Sequence, residues 1–269
     1  MLHPARTAQQ VALDRGFDVP TPLQPFVEHF WSVRWDLAGG PAFRSEVLSH
    51  PSAHLSLEEG THPRFGVPMP AVLVHGVVTR RFIIDLVGAG RVCAAKFRPG
   101  GWTALTGCRP ARDSVAPLSP GLGLDPGSLL RAVLHEGDDS TRWELLGAAL
   151  TRVAPQPPTA YVDLLALLDV MVADRHLVRV DDVARRAGVG VRSLQRLFAQ
   201  WVGVSPKAVL ARFRLQDAAA AIDAGEVEDL AGLAVSLGWF DQAHFSRDFR
   251  AAVGTTPSAY LRAARAGAS

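Results

Sequence analysis

The chain has two cysteines, Cys93 and Cys108, among 269 residues. That is too few for the disulfide framework of a small secreted domain, and it fits a reducing cytoplasm. Long apolar runs are missing too. No stretch approaches the uninterrupted length a membrane-spanning helix needs, and the opening MLHPARTAQQVALDRG lacks an apolar core of signal-peptide length, so the expected location is the cytoplasm. A large excess of either charge is absent, the net charge being +2, which alone says little about a polyanionic partner. There is no Gly-rich phosphate loop and no nucleophile elbow. His29, His50, His54, His62 and His75 raise the question of a metal, but no H-x-H or H-E-x-x-H pair occurs and the spacings are irregular. No metal, cofactor or catalytic centre is expected.

What is present is a globular composition, 48% apolar and 20% charged, long enough for two domains. The charges are unevenly spread. Residues 183 to 216 hold Arg185, Arg186, Arg192, Arg196, Lys207, Arg212 and Arg214 without one Asp or Glu, while Asp217, Asp223, Glu226, Glu228 and Asp229 follow. A local basic strip is the electrostatic footprint expected for phosphates.

The same region is written twice. VDDVARRAG (180–188) lies on LAGLAVSLG (230–238) at an offset of 50, and SLQRLFAQWVGVSPKAVL (193–210) on HFSRDFRAAVGTTPSAYL (244–261) at an offset of 51. Phe198 meets Phe249, Gly203 meets Gly254 and Pro206 meets Pro257. Each copy reads as a helix, a turn opened by Gly188 or Gly238, and a second helix, the arrangement that lays its second helix in a DNA major groove.

In the first copy Leu194, Leu197, Phe198 and Trp201 form the inward stripe. Arg192, Gln195 and Arg196 remain on another face, where Arg can fork onto guanine and Gln can pair with adenine. In the second copy Phe245 and Phe249 face inward, leaving Ala243, Ser246, Arg247 and Arg250 outward with Gln242 and His244 alongside. The competing reading, a helical bundle with ordinary solvated faces, leaves the duplication and the paired faces unexplained.

VARRAGVGVRSLQRLFAQWVGVSP and LAVSLGWFDQAHFSRDFRAAVGTTPSAYL closely resemble the DNA-binding domain of the AraC/XylS family of bacterial transcription regulators. The resemblance covers about the last 100 residues, and the motif G-[FW]-x-D-Q-x-H-F-S-R-x-F-[KR]…G-x-x-P-x-x-Y is highly specific. By matching positions it implies base contacts from Arg192, Gln195 and Arg196, then Gln242, Ala243, Ser246 and Arg247. Ser193, Lys207, Arg212, His244 and Arg250 are the candidates for phosphates. Two positions depart from the family: Phe240 stands where a helix-capping Ser is usual, and Ala243 offers only apolar contact with a thymine methyl.

The expected fold is α+β: an N-terminal antiparallel β barrel, cupin-like, with flanking helices, then an all-α domain whose two helix-turn-helix motifs are joined by a linker helix. The expected division is a sensor or dimerisation domain over 1–153, a stiff linker over 154–158 and a DNA-binding domain over 159–269. Leu23, Phe26, Val27 and Phe30 sit at helical spacing and predict a short helix before an aromatic strand. Strands are predicted at 46–49, 54–58, 71–76, 79–86 and 91–98. FRPGGWTALTG (97–107), with PLQPFVEHFW, more loosely resembles the poorly characterised sensor domains attached to many AraC-like regulators. Helices over 125–137 and 140–153 have Asp125 and Ser140 as candidate caps, and a helix is predicted over 159–176.

Trp31, Trp35 and Trp102 are candidates to line an apolar effector pocket, although core is the commoner use of tryptophan in a small β domain. Cys93 reads as a small buried residue, and Cys108 beside Arg109 and Arg112 as a lone thiol in an Arg-rich loop. Between the units, Ser205 caps a helix opened by Pro206, and nineteen residues from 206 to 224 make a rod of roughly 28 Å. Such a rod suits two heads in adjacent grooves, about 34 Å apart, without dimerisation. The expected partners are double-stranded DNA and an unknown small-molecule effector, with RNA polymerase and a second copy as further candidates. The alternatives are a ligand-independent architectural DNA binder and an enzyme with catalysis in the barrel.

Overall fold

The computed structural model describes residues 2, 4–37, 39–174 and 177–267. The chain opens with α1 (Pro4–Ala8) and β1 (Ala12–Gly16), makes one 3-10 turn at Thr21–Leu23, and enters β2 (Val27–Asp36). No helix spans Leu23 to Phe30. The run PTPLQP places prolines at 20, 22 and 25, each lacking an N–H and disfavouring a helical residue before it. Leu23, Phe26, Val27 and Phe30 still reach one core, through a turn and a strand.

Then follow β3 (Phe43–Val47), β4 (His54–Gly60), β5 (Ala71–His75), β6 (Phe82–Leu86), β7 (Ala89–Phe97), α2 (Gly101–Thr106) and β8 (Val115–Pro117). The strand predicted at 46–49 begins earlier and ends at Val47, and β1 and β8 went unpredicted because neither alternates clearly. Six strands pair in the order β1-β2-β7-β4-β5-β8, and β3 pairs with β6 in a separate ribbon.

All these pairings are antiparallel. Register sorts the side chains into two faces. Leu55 and Leu57 align with Val74 and Val72 on β5 and with Ala95 and Cys93 on β7. This apolar face packs with Leu129 and Val133 of α3 (Pro126–Leu134) and Leu146 and Leu150 of α4 (Asp139–Thr151). On the opposite face Val33, Trp35, Val92 and Ala94 pack with Phe43 and Leu86 of the ribbon, giving a partly closed barrel. Asp125 caps α3 as expected, but α4 is capped by Asp138, which accepts from Thr141 N, while Ser140 Oγ donates to that same carboxylate.

The helical part comprises α5 (Thr159–Ala173), α6 (Val180–Arg186), α7 (Val191–Trp201), α8 (Pro206–Asp223), α9 (Leu230–Ser236), α10 (Gln242–Val253) and α11 (Pro257–Gly267). The helix predicted over 159–176 ends at Ala173, its final two positions lying outside the described residues. Ser205 Oγ caps α8 by accepting from Ala208 N.

Packing does not break where the linker runs. Tyr161, Leu164, Phe198 and Trp201 share one core with the sheet's apolar face, Tyr161 stacks on Phe26 with ring centroids 6.0 Å apart, and its hydroxyl donates to Pro25 O at 2.8 Å. The second helix-turn-helix has a core of its own, built from Ile222, Trp239, Phe245, Phe249 and Tyr260.

Candidate nucleic-acid interface

The two copies fold alike at the level of single hydrogen bonds. At the turn, Val189 N donates to Ala184 O at 2.9 Å in the first unit, and Trp239 N to Ala234 O at 2.9 Å in the second. Gly188 and Gly238 both take positive φ, 66° and 81°, the left-handed conformation that closes such a helix end. The second helices then diverge in how they start. Asp241 accepts from His244 N at 2.6 Å to cap α10, whereas α7 begins at Gly190 with no side-chain cap. The cap missing at Phe240 is thus supplied one residue later. Phe240 is left 90% exposed beside the first turn of α10.

Leu194, Phe198 and Trp201 are buried on α7, and Phe245 and Phe249 on α10, as their spacing requires. The outward faces hold the expected side chains: Arg192, Gln195 and Arg196 are exposed on α7, and Gln242, Ala243 and Arg247 on α10, with Ser246 half-buried. Arg192, Arg196, Arg247 and Arg250 make no ion pair among the described residues. Cations at a surface without partners are free to meet phosphates or base edges.

The phosphate candidates separate. Lys207 and Arg250 are exposed, Ser193 is half-buried, and exposed His244 stands 3.4 Å from Asp248, which also accepts from Trp239 Nε1 at 2.9 Å. Arg212 lies elsewhere. It is 6% exposed, and its guanidinium donates to Thr79 O at 2.5 Å and Arg80 O at 3.1 Å, joining α8 to the N-terminal domain. Sequence could not separate it from the basic strip, because its partners are backbone carbonyls more than a hundred residues away.

Two further arginines join the N-terminal domain to the helix-turn-helix units, which their local sequence does not show. Arg81 Nη1 donates to Val253 O at 2.7 Å at the end of α10, and Arg109 Nη1 donates to Ala199 O near the end of α7. Each lies against the glycine that ends its helix, Gly254 and Gly203, where any Cβ would crowd the arginine. Those glycines are equivalent in the duplication. The N-terminal domain therefore holds the C-terminal ends of both second helices.

Of the tryptophans, Trp35 and Trp102 are buried, Trp35 donating to Val87 O at 3.3 Å and Trp102 packing edge-on against Phe97. Trp31 lines a cavity of about 830 Å³ bounded by the barrel's inner face and α8. His29, His50, His54 and His75 line it as well, but among the described residues no group of three or more His, Cys, Asp or Glu is arranged to hold a metal.

Beside the cavity, Ser56 Oγ, His75 Nε2 and Glu58 Oε1 come within 3.2 Å of one another, and Arg64 pairs with Glu58 Oε2 at 2.8 Å. Burial pushes the Glu58 carboxyl up, but the His75 hydrogen bond and the Arg64 guanidinium outweigh it and hold the group below its ordinary value. The hydroxyl and the carboxylate meet the same ring nitrogen, so His75 cannot relay a proton between them as a nucleophile's base must.

A duplicated helix-turn-helix with two outward basic faces defines a DNA-binding protein. Residues 183–263 match a helix-turn-helix domain family, and residues 18–114 match a domain of unknown function, DUF6597. The C-terminal part of the chain is thus a helix-turn-helix domain, a DNA-binding fold.

Similar solved structures include an AraC-type transcriptional regulator from Chromobacterium violaceum, 25% identical over 38% of this chain and 91% of that one, with a TM-score of 0.35. The C-terminal domain of AraT, a response regulator from Geobacillus stearothermophilus, is 23% identical over 40% of this chain and 88% of its own, with a TM-score of 0.35. ToxT from Vibrio cholerae is 9% identical over 94% of this chain and 98% of its own, with a TM-score of 0.46. Among the described residues no helix is long and apolar enough to cross a membrane.

Proposed function

We propose that the chain is a sequence-specific regulator that inserts α7 and α10 into adjacent major grooves, under the control of a small molecule at its N-terminal domain. The observation that carries the DNA-reading part is the pair of exposed arginine faces on equivalent helices, without ion-pair partners among the described residues. The 18 residues of α8 give a rod of about 27 Å between the units, which suits grooves about 34 Å apart. In this reading residues 1–153 sense, 154–158 link and 159–269 read DNA.

On α7, Arg192 and Arg196 recognise guanine and Gln195 adenine. On α10, Gln242, Ser246 and Arg247 make polar contacts, with Ala243 against a thymine methyl. Ser193, Lys207, His244 and Arg250 hold phosphates, while Arg212 serves the interdomain contact. Because the two faces differ, the site is non-palindromic. The test is selection of genomic fragments by purified wild type, Arg196→Ala and Arg247→Ala. Each variant is expected to lose base preference in one half-site only, at a cost of about 1–3 kcal/mol for its base. A uniform loss across all sequences would remove these side chains from base reading.

A further inference from the structure

The cavity between the sheet and α8 is built for a ligand of definable chemistry. Its volume of about 830 Å³ lies within the range of small-molecule sites, roughly 300–1,000 Å³. Much of its wall is apolar, including Leu13, Phe17, Trp31, Leu48, Val78 and Phe82. The polar groups are ordered by strand register: His29 pairs with Lys96, Lys96 with His54, and His54 with His75, one row across β2, β7, β4 and β5 on the cavity side of the sheet.

Two members of this row have their protons placed by neighbours. Trp31 Nε1 donates to His54 Nδ1 at 3.1 Å, and an indole N–H has no other role. Burial pushes the His54 pKa well below its ordinary value, so the ring is neutral and its single proton sits on Nε2. His75 directs Nε2 to the Glu58 carboxylate, and in the tautomer that donates there Nδ1 is the acceptor. One donor and one acceptor on cross-strand neighbours match a hydroxyl, which accepts and donates at once.

The buried ammonium of the lining is already paired. Arg15 and Lys96 face Glu28 and Asp223 across the lining. Lys96 Nζ donates to Glu28 Oε1 at 2.7 Å, and Asp223 accepts from Tyr260 at 2.9 Å. An anionic ligand would enter beside an ionised Glu28, with Lys96 already paired. Among the described residues of the lining, the solvent-exposed Arg15 is the one Lys or Arg outside an ion pair, so that the ligand's charge would be desolvated against a carboxylate.

The walls connect to both reading units. Gly76, Val78 and Phe82 line the cavity, and the segment between them supplies the carbonyls that hold Arg212 of α8 and the arginine, Arg81, that holds the end of α10. Ala219, Ala220 and Asp223 of α8 form part of the opposite wall.

We infer that this cavity binds an uncharged, mostly apolar alcohol or phenol, and that residues 76–82 pass its occupancy to α8 and α10. The second clause rests on the reading of the chain as a ligand-controlled DNA binder; the first does not.

Calorimetric titration of the full chain, without DNA, with para-hexylphenol and para-hexylbenzoate tests the site. The expected result is one phenol per chain, with the benzoate at least about tenfold weaker. Ala220→Trp, at an exposed helix position that faces the cavity, is expected to abolish binding. His54→Phe, which keeps a ring but loses the donor, should weaken it about tenfold. No heat with the phenol, equal or tighter benzoate binding, or unchanged affinity in both folded variants would overturn the assignment.

For transmission, the phenol should shift DNA affinity several-fold in wild type. Arg212→Met and Arg81→Met should lose that shift while still binding the phenol. Phenol binding with no shift would overturn the transmission and leave the site standing, and wild-type DNA binding measured without phenol reports separately on the DNA-reading proposal.

Discussion

Lys207 and Arg212 sit on one helix with the same charge, yet Lys207 faces solvent and Arg212 is 6% exposed under three backbone carbonyls. Counterion release follows from cations that reach phosphates, so the two should separate in a salt titration of DNA binding. Lys207→Ala is expected to reduce the salt slope by about one, and Arg212→Met to leave it unchanged while lowering stability by about 1.5–3 kcal/mol. An equal fall in slope for both would place Arg212 on the DNA. The cysteines divide similarly. Burial pushes the Cys93 thiol up to about 12, whereas Cys108 is exposed. Titration of the native protein with a thiol reagent at neutral pH should count one rapid thiol, and the second only on unfolding; two rapid thiols would contradict that burial. Residue type and local spacing told Cys93 from Cys108 and found the outward arginines. They did not find the row of His29, His54, His75 and Lys96, because strand register, not sequence proximity, brings it together.

At the scale of elements, the helices of the DNA-reading half were legible almost to the residue, since a 3.6-residue stripe and the caps at Ser205 and Gly225 state where α8 begins and ends. The barrel was less so. Helical spacing at Leu23, Phe26 and Phe30 was overridden by three prolines, and Ser140 lost the capping position to Asp138, whose carboxylate accepts from Thr141 N. How the elements are held also lay beyond the sequence: Arg81 and Arg109 reach α10 and α7 across the interface between the two halves. A cation at a helix C-terminus satisfies orphan carbonyls and opposes the negative end of the dipole. In Arg81→Ala, amide hydrogen exchange is expected to accelerate at the C-terminal turn of α10 with α7 unchanged, and in Arg109→Ala the reverse. Acceleration in both helices from either substitution, or in neither, would mean that the arginines do not hold the helix ends individually.

Across the whole molecule, the first reading unit shares a core with the sheet while the second has its own, and α8 contributes to both. One head is thus built into the N-terminal domain and the other is carried at the far end of a rod. Arg212, Gln216 and Arg81 tie that rod and its distal head back to the barrel, Gln216 through Leu48 O at 2.8 Å. In the proposed reading this arrangement gives the two heads a fixed separation without a second copy. Hydroxyl-radical footprinting on a selected site, at a concentration where the chain is monomeric, tests this most directly. The expected result is two protected patches on one face of the duplex, their centres about 10 base pairs apart, with different sequences beneath them. A single patch, or two identical patches that appear only as the chain dimerises, would contradict the two-headed monomer.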